Sequence, residues 1–204
     1  MYINIISQHL GEFLDTAENG AIFFSLGSTA KSSDLSPETV KLFFNVLSKL
    51  PQKILWKWDD VENVPGKSDN ILFDKWVPQN DVLAHKNLRL FITHGGKGSV
   101  VESQYHGVPM IVIPLFGDQT FNAKEIEGKM YGISINHKTV TKEHFEKVVN
   151  EVLENRKYLT NVKLFSKVYK DRPITAKDNA VFWMEYVLRH KGARHLQSPA
   201  GELD

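Results

Sequence analysis

Short apolar runs alternate with amphipathic stretches along this chain. Ala21 to Leu26 (AIFFSL), Lys53 to Trp58, Ile71 to Lys75, Leu90 to Thr93, Met110 to Pro114 and Ile133 to Ile135 are too short for typical helices and are set off by glycine, proline or polar residues, the pattern of buried strands. Helical spacing fills the gaps. Ser36-Pro37-Glu38 offers an N-cap, a proline at the first helical position and an acid in the first turn; Val40, Phe43, Phe44, Leu47 and Leu50 follow on one face until Pro51 stops the helix. Asn80-Asp81 opens a short helix, a helical pattern restarts after Gly98, another begins at Phe121 to Ala123, and Thr141 starts one with Phe145, Val148, Val149, Val152 and Leu153 inward. Two more follow, near Tyr158 to Lys170 and Ala176 to His190; the last is rich in large apolar residues and calls for a partner surface. Residues 1–20 read as an amphipathic or loosely ordered lead, with Leu10, Phe13 and Leu14 at helical spacing. Strand alternating with helix predicts an α/β fold, a Rossmann-like parallel sheet with helices on both faces.

Composition narrows the partners. With 25 basic against 24 acidic residues the net charge is +1, which argues against a surface built to neutralise a nucleic-acid backbone, so any anion site must be local. The absence of cysteine excludes disulfides, thiolate metal sites and a cysteine nucleophile. The N-terminus shows no basic region followed by an unbroken apolar stretch, and Met110 to Phe116 falls far short of the roughly 20 residues that span a bilayer. The chain is expected to be soluble as it stands.

Candidate chemistry collects at the ends of the predicted strands. In Phe91 to Glu102 (FITHGGKGSVVE) a strand passes into a helix through Gly95, Gly96 and Gly98, leaving backbone N–H groups open to an anion, most reasonably a phosphate. His94 can donate to it and Ser99 places a hydroxyl in the first helical turn. Glu102, about one turn in, would repel a phosphate but can reach a sugar hydroxyl. Such glycines also serve helix–sheet packing alone. After the third strand, Trp76 offers an indole face for a planar base or simply packs in the core, and Gln79 can bond the base edge. Asp118 and Gln119 after the fifth strand can grip vicinal hydroxyls, the acid accepting and the amide both donating and accepting, or merely cap a helix. Ser28, at the end of the first strand with Thr29, is a further candidate or a turn serine. No metal site is expected.

Taken together, WVPQ at 76–79, FITHGGKGSVVE at 91–102 and GVPMIVIPLFGDQ at 107–119 resemble the signature of the UDP-glycosyltransferases, and SLGS at 25–28 with FWMEYVLRHKGA at 182–193 resemble the animal UDP-glucuronosyltransferase-like branch. The resemblance covers nearly the whole chain. It implies the C-terminal, donor-binding domain of a two-domain GT-B glycosyltransferase: residues 1–20 a leading segment or interdomain linker, 21–190 the UDP-sugar domain, and 191–204 a tail leading to a membrane anchor beyond Asp204. It further implies that Trp76 stacks on uracil, Gln79 contacts base or ribose, His94 and Ser99 hold the diphosphate with Gly96 and Gly98, Glu102 binds the ribose, Asp118 and Gln119 grip the sugar, and Ser28 touches the distal phosphate. Plant members carry tryptophan and asparagine where this chain has Lys97 and Gly98, so one side-chain phosphate contact is lacking. The implied reaction is inverting transfer of a hexose or glucuronic acid from UDP-sugar to a small lipophilic acceptor in detoxification, at the lumenal side of the endoplasmic reticulum membrane. UDP-sugar is its donor substrate and no cofactor is implied. The acceptor-activating histidine and its aspartate belong to an N-terminal half, so this chain alone is expected to be inactive. Two alternatives stand beside it: a non-catalytic UDP-sugar binding module, and a hydrolase using Ser99, His94 and Asp118.

Overall fold

A computed structural model describes residues 6–28, 30, 31 and 34–198; Thr29, residues 1–5 of the lead and 199–204 of the tail lie outside them. Six strands, β1 (Ala21–Ser25), β2 (Lys53–Lys57), β3 (Ile71–Asp74), β4 (Leu88–Thr93), β5 (Met110–Val112) and β6 (Gly132–Ser134), form one sheet in the order β3-β2-β1-β4-β5-β6. Every pairing is parallel. The expected Rossmann-like sheet is present, and each predicted apolar run holds one strand.

Successive residues of a strand point to opposite faces, so an entirely apolar strand feeds two cores. Ile22 and Phe24 of β1 join Ile54, Trp56, Leu90 and Ile92 on one face; Ala21 and Phe23 join Leu55, Phe91, Met110 and Val112 on the other. Phe24 stacks on Trp56 with ring centroids 4.5 Å apart, and Phe23 on Phe91 at 5.1 Å. The first core is closed by α2 (Pro37–Leu47) and α6 (Lys142–Glu154), which meet through Phe43 and Phe145. Ser36 and Thr141 cap these helices, each accepting from a backbone N–H three residues on. The second core is closed by α1 (Gln8–Asp15), α3 (Gln79–Leu83), α4 (Lys97–His106), α5 (Gln119–Gly128) and Val162 of α7 (Arg156–Lys170). Within the lead, α1 buries Leu10 and Leu14, so this part is a packed layer of the fold.

The chain divides into two compact units, Met1–Val168 and Tyr169–Asp204. In the second, Thr175 caps α8 (Ala176–Arg189) by accepting from the Asp178 N–H. None of the residues of α8 is buried: Phe182, Trp183, Met184, Val187 and Leu188 are exposed, with the Phe182, Trp183 and Tyr186 rings in contact with one another. No described helix is long and apolar enough to cross a membrane.

Candidate functional site

The strand order fixes where a ligand can enter. From β1 the chain runs outward to β2 and β3, and from β4 it runs the other way to β5 and β6, so the loops after β1 and β4 diverge and leave a crevice above the C-terminal strand ends. A cleft of about 510 Å³ opens there. Its wall combines Gly27 and Ser28 after β1, Lys57 of β2, Trp76 to Gln79 after β3, and His94, Gly96 to Ser99 and Glu102 after β4. Eight of the ten sequence candidates therefore share one cavity; Asp118 and Gln119 do not line it.

Glycines set the place of His94. The residue is 9% exposed, and a Cβ at Gly27 would lie 2.7 Å from its Cε1 while one at Gly96 would lie 2.4 Å from its Nε2. Only residues without side chains admit the ring between them. Gly27 and Gly95 also have φ of +87° and +84°, a backbone that favours glycine. Burial holds the imidazole below its ordinary 6.5; the nearby Lys57 charge pushes the same way, against the carboxylate of Asp118. Lys57 donates from Nζ to the Gly27 carbonyl at 2.6 Å.

Beyond the ring, Gly96 takes the N-cap position of α4, and no side-chain hydrogen bond caps the helix. The first N–H groups of a helix have no partner within it, and those of Lys97, Gly98 and Ser99 belong to cleft-lining residues. A Cβ at Gly98 would meet nothing within 4 Å, so this wall is open where a longer side chain would narrow it. Ser99 is buried, and its Oγ accepts from Gln79 Nε2 at 3.1 Å, which leaves its own proton to donate. The same Nε2 donates to Glu102 Oε2. Both protons of the Gln79 amide thus hold Ser99 and Glu102 in place, and its Oε1 is the atom left to meet a base or ribose. Trp76 stands 74% exposed at the rim, with Lys57 Nζ 6.0 Å from its ring centroid. The alternative of core packing for Trp76 is thereby set aside.

At the end of the sheet bearing β5, Gln119 is only 3% exposed, and its Oε1 accepts from the N–H groups of Leu115 and Phe116 at 2.7 and 3.0 Å. Of its amide, Nε2 alone is left to meet a ligand, so the expectation that it both donates and accepts is corrected. Asp118 is exposed and supplies no cap bond to α5; its Oδ2 accepts from Asn122 Nδ2, which also donates to the Gly95 carbonyl. Asn122 therefore ties Asp118 to the His94 turn. Lys57 and Asn122 were not singled out by sequence: Lys57 had its place at a strand's C-terminal end as the sole signal, and Asn122 none beyond a helix start.

Among the described residues no hydrogen bond joins Ser99 to His94, and Asp118 is paired with Asn122, so the nucleophile–base–acid chain of a hydrolase is not assembled. No cluster able to hold a metal ion occurs among the described residues.

A parallel sheet with its crevice at the topological switch point, lined by a helix N-terminus and rimmed by an exposed indole, defines a Rossmann-like α/β domain with its cleft where such folds take ligands. Residues 4–204 match the family described as "UDP-glucoronosyl and UDP-glucosyl transferase", and the chain belongs to that family. It is 39% identical over 97% of its length to the UDP-glycosyltransferase UGT5 of Dactylopius coccus, and 39% identical over its whole length to the human UDP-glucuronosyltransferase 1A1. In each case it spans 38% of the relative's length. Among solved structures it is similar to a UDP-glucose:anthocyanidin 3-O-glucosyltransferase in complex with UDP, with TM-score 0.75 and 26% identity over 85% of this chain and 41% of that one. An Os79 variant from O. sativa in complex with UDP shares the fold, with TM-score 0.76 at 22% identity over 91% of this chain and 45% of that one.

Proposed function

We propose that this chain is the donor-binding part of an inverting GT-B UDP-glycosyltransferase that moves a hexose or glucuronic acid from a UDP-sugar to a small lipophilic acceptor. The observation that carries the reading is the convergence of Trp76, Gln79, His94, Ser99 and Glu102 on one cleft from two different strand ends. Trp76 is the stacking surface for uracil. Glu102, steadied by Gln79, accepts from the ribose hydroxyls. The diphosphate lies over the start of α4, taking hydrogen bonds from the Gly96–Ser99 turn, the Ser99 hydroxyl, Ser28 and the His94 ring, and Asp118 with the Gln119 amide nitrogen meets the sugar. When the glycosidic bond to UDP breaks, negative charge grows on the departing diphosphate, and those donors are already oriented toward it. The acceptor's base and pocket come from a further domain of the full-length protein, at the lumenal side of the endoplasmic reticulum membrane; with UDP-sugar and a phenolic acceptor this chain alone is expected to show no turnover.

The test is calorimetry with UDP and ADP. Trp76→Ala is expected to lower UDP affinity by about 1 to 3 kcal/mol, the range for a base on an aromatic platform, and to erase the preference for UDP. Equal binding of both nucleotides by the parent chain would refute the stacking role.

His94 gives a second check. A diphosphate beside the ring favours imidazolium, so its pKa should rise on binding from a value below 6.5. By linkage, affinity for a UDP-sugar, whose esterified phosphates keep their charge, strengthens as the pH falls from the liganded pKa to the free one. NMR of the His94 ring with and without saturating UDP-glucose reads this directly; an unmoved titration would place the phosphates elsewhere.

A further inference from the structure

The indole of Trp76 is too exposed for packing to hold it, yet its backbone is tethered. Asp74, the last residue of β3, accepts the Trp76 N–H on Oδ1 at 3.0 Å. Its other oxygen, Oδ2, lies 3.0 Å from Nε2 of His9 in α1, and Nδ1 of His9 lies 3.0 Å from the Ser7 hydroxyl. A carboxylate only accepts, so Nε2 carries the proton; a neutral ring then accepts the Ser7 hydroxyl proton on Nδ1. The relay runs Ser7 to His9 to Asp74 to the turn that presents Trp76.

We propose that His9 is a positioning residue for the base platform: through the Asp74 carboxylate it fixes the turn carrying Trp76, and so sets how well the cleft receives a pyrimidine base. This rests on the reading of Trp76 as the base-stacking surface. The lever is rigid at its far end, because α1 is anchored in the core by Leu10 and Leu14 while presenting His9 from its outer side. The backbone of Asp74 is fixed as well: it lies in register with Lys57 of β2, and its carbonyl accepts the Trp58 N–H at 2.9 Å. Side-chain rotation is what remains free in Asp74, and each of its oxygens is held from a different element. Without His9 the carboxylate can turn to solvent and release the Trp76 N–H.

Three proteins decide it: the parent chain, His9→Ala and His9→Gln, whose amide nitrogen can replace the ring donor. Each is titrated with UDP and with inorganic pyrophosphate, and hydrogen exchange of the Trp76 amide is followed by NMR. His9→Ala should weaken UDP about two- to fivefold, the scale of a partly exposed pair. Pyrophosphate binding should be unchanged, the Trp76 amide should exchange faster by a similar factor, and His9→Gln should restore both. UDP and pyrophosphate weakening together would mean a general structural role and overturn the proposal, as would exchange and affinity that match the parent. If the parent binds no UDP, the donor-site reading fails by itself; the exchange rates still judge the relay, acceleration in His9→Ala supporting it and no change overturning it.

Discussion

Gly96→Ala is expected to weaken UDP binding about tenfold to a hundredfold while leaving the sheet folded, the range of a lost hydrogen bond to a charged group. Backbone strain is not the cause, because Gly96 has φ −60° and ψ 143°, which alanine adopts freely. The new Cβ would lie 2.4 Å from His94 Nε2. Gly27 also stands against the ring, close enough that a Cβ there would reach within 2.7 Å of Cε1, so the imidazole is already closely packed and is expected to be displaced. Calorimetry with UDP, beside a circular dichroism spectrum matching the parent, is the measurement. His94→Ala should lose a similar amount, and the double variant should lose little more, since both remove one interaction. Parent-like affinity in Gly96→Ala would take His94 out of the site.

Gly132→Ala is expected to cost about 3 kcal/mol of stability, at the upper end for overpacking. Met110 and Gly132 are register partners in β5 and β6, and a Cβ at Gly132 would lie 1.9 Å from the Met110 carbonyl oxygen. That oxygen belongs to backbone, so no rotamer change relieves the clash; β6 must move off the sheet. Urea denaturation should show a lower midpoint. Gly128→Ala is the control, because a Cβ there meets nothing within 4 Å and alanine favours the helix. If both variants unfold at the parent midpoint, the tight β5–β6 approach is wrong.

The fold was legible because a parallel sheet covered on both faces demands strands apolar on both sides, and runs such as AIFFS and MIV have no other comfortable conformation. β4 begins at Leu88, earlier than the apolar run, because Arg89 is exposed and interrupts the pattern without interrupting the strand. The site was legible where chemistry and chain position coincide, as for His94 and Ser99 at a strand-to-helix turn. It was not legible where a side chain's task depends on a distant partner. Gln79 turns to Ser99 and Glu102, the Gln119 oxygen is spent on its own loop, and Asn122 reaches back to Gly95. Hydrogen-bonding groups of that kind have several possible partners, and only the packed sheet selects among them. The apolar residues of α8 show the converse: sequence asks for burial, and the helix displays them.

The central pair of the sheet, β1 with β4, is also the pair with the longest intervening stretch among neighbouring strands, since β2, β3, α2 and α3 all lie between them. Closing so large a loop is entropically slow and is repaid only by contacts made at the end. Until it closes, the segment at Gly27 and the segment at His94 are strangers. On the proposed donor-binding reading, a nucleotide therefore finds no complete cleft in a half-assembled chain, and its binding energy acts to retard opening of the finished sheet rather than to hasten its formation.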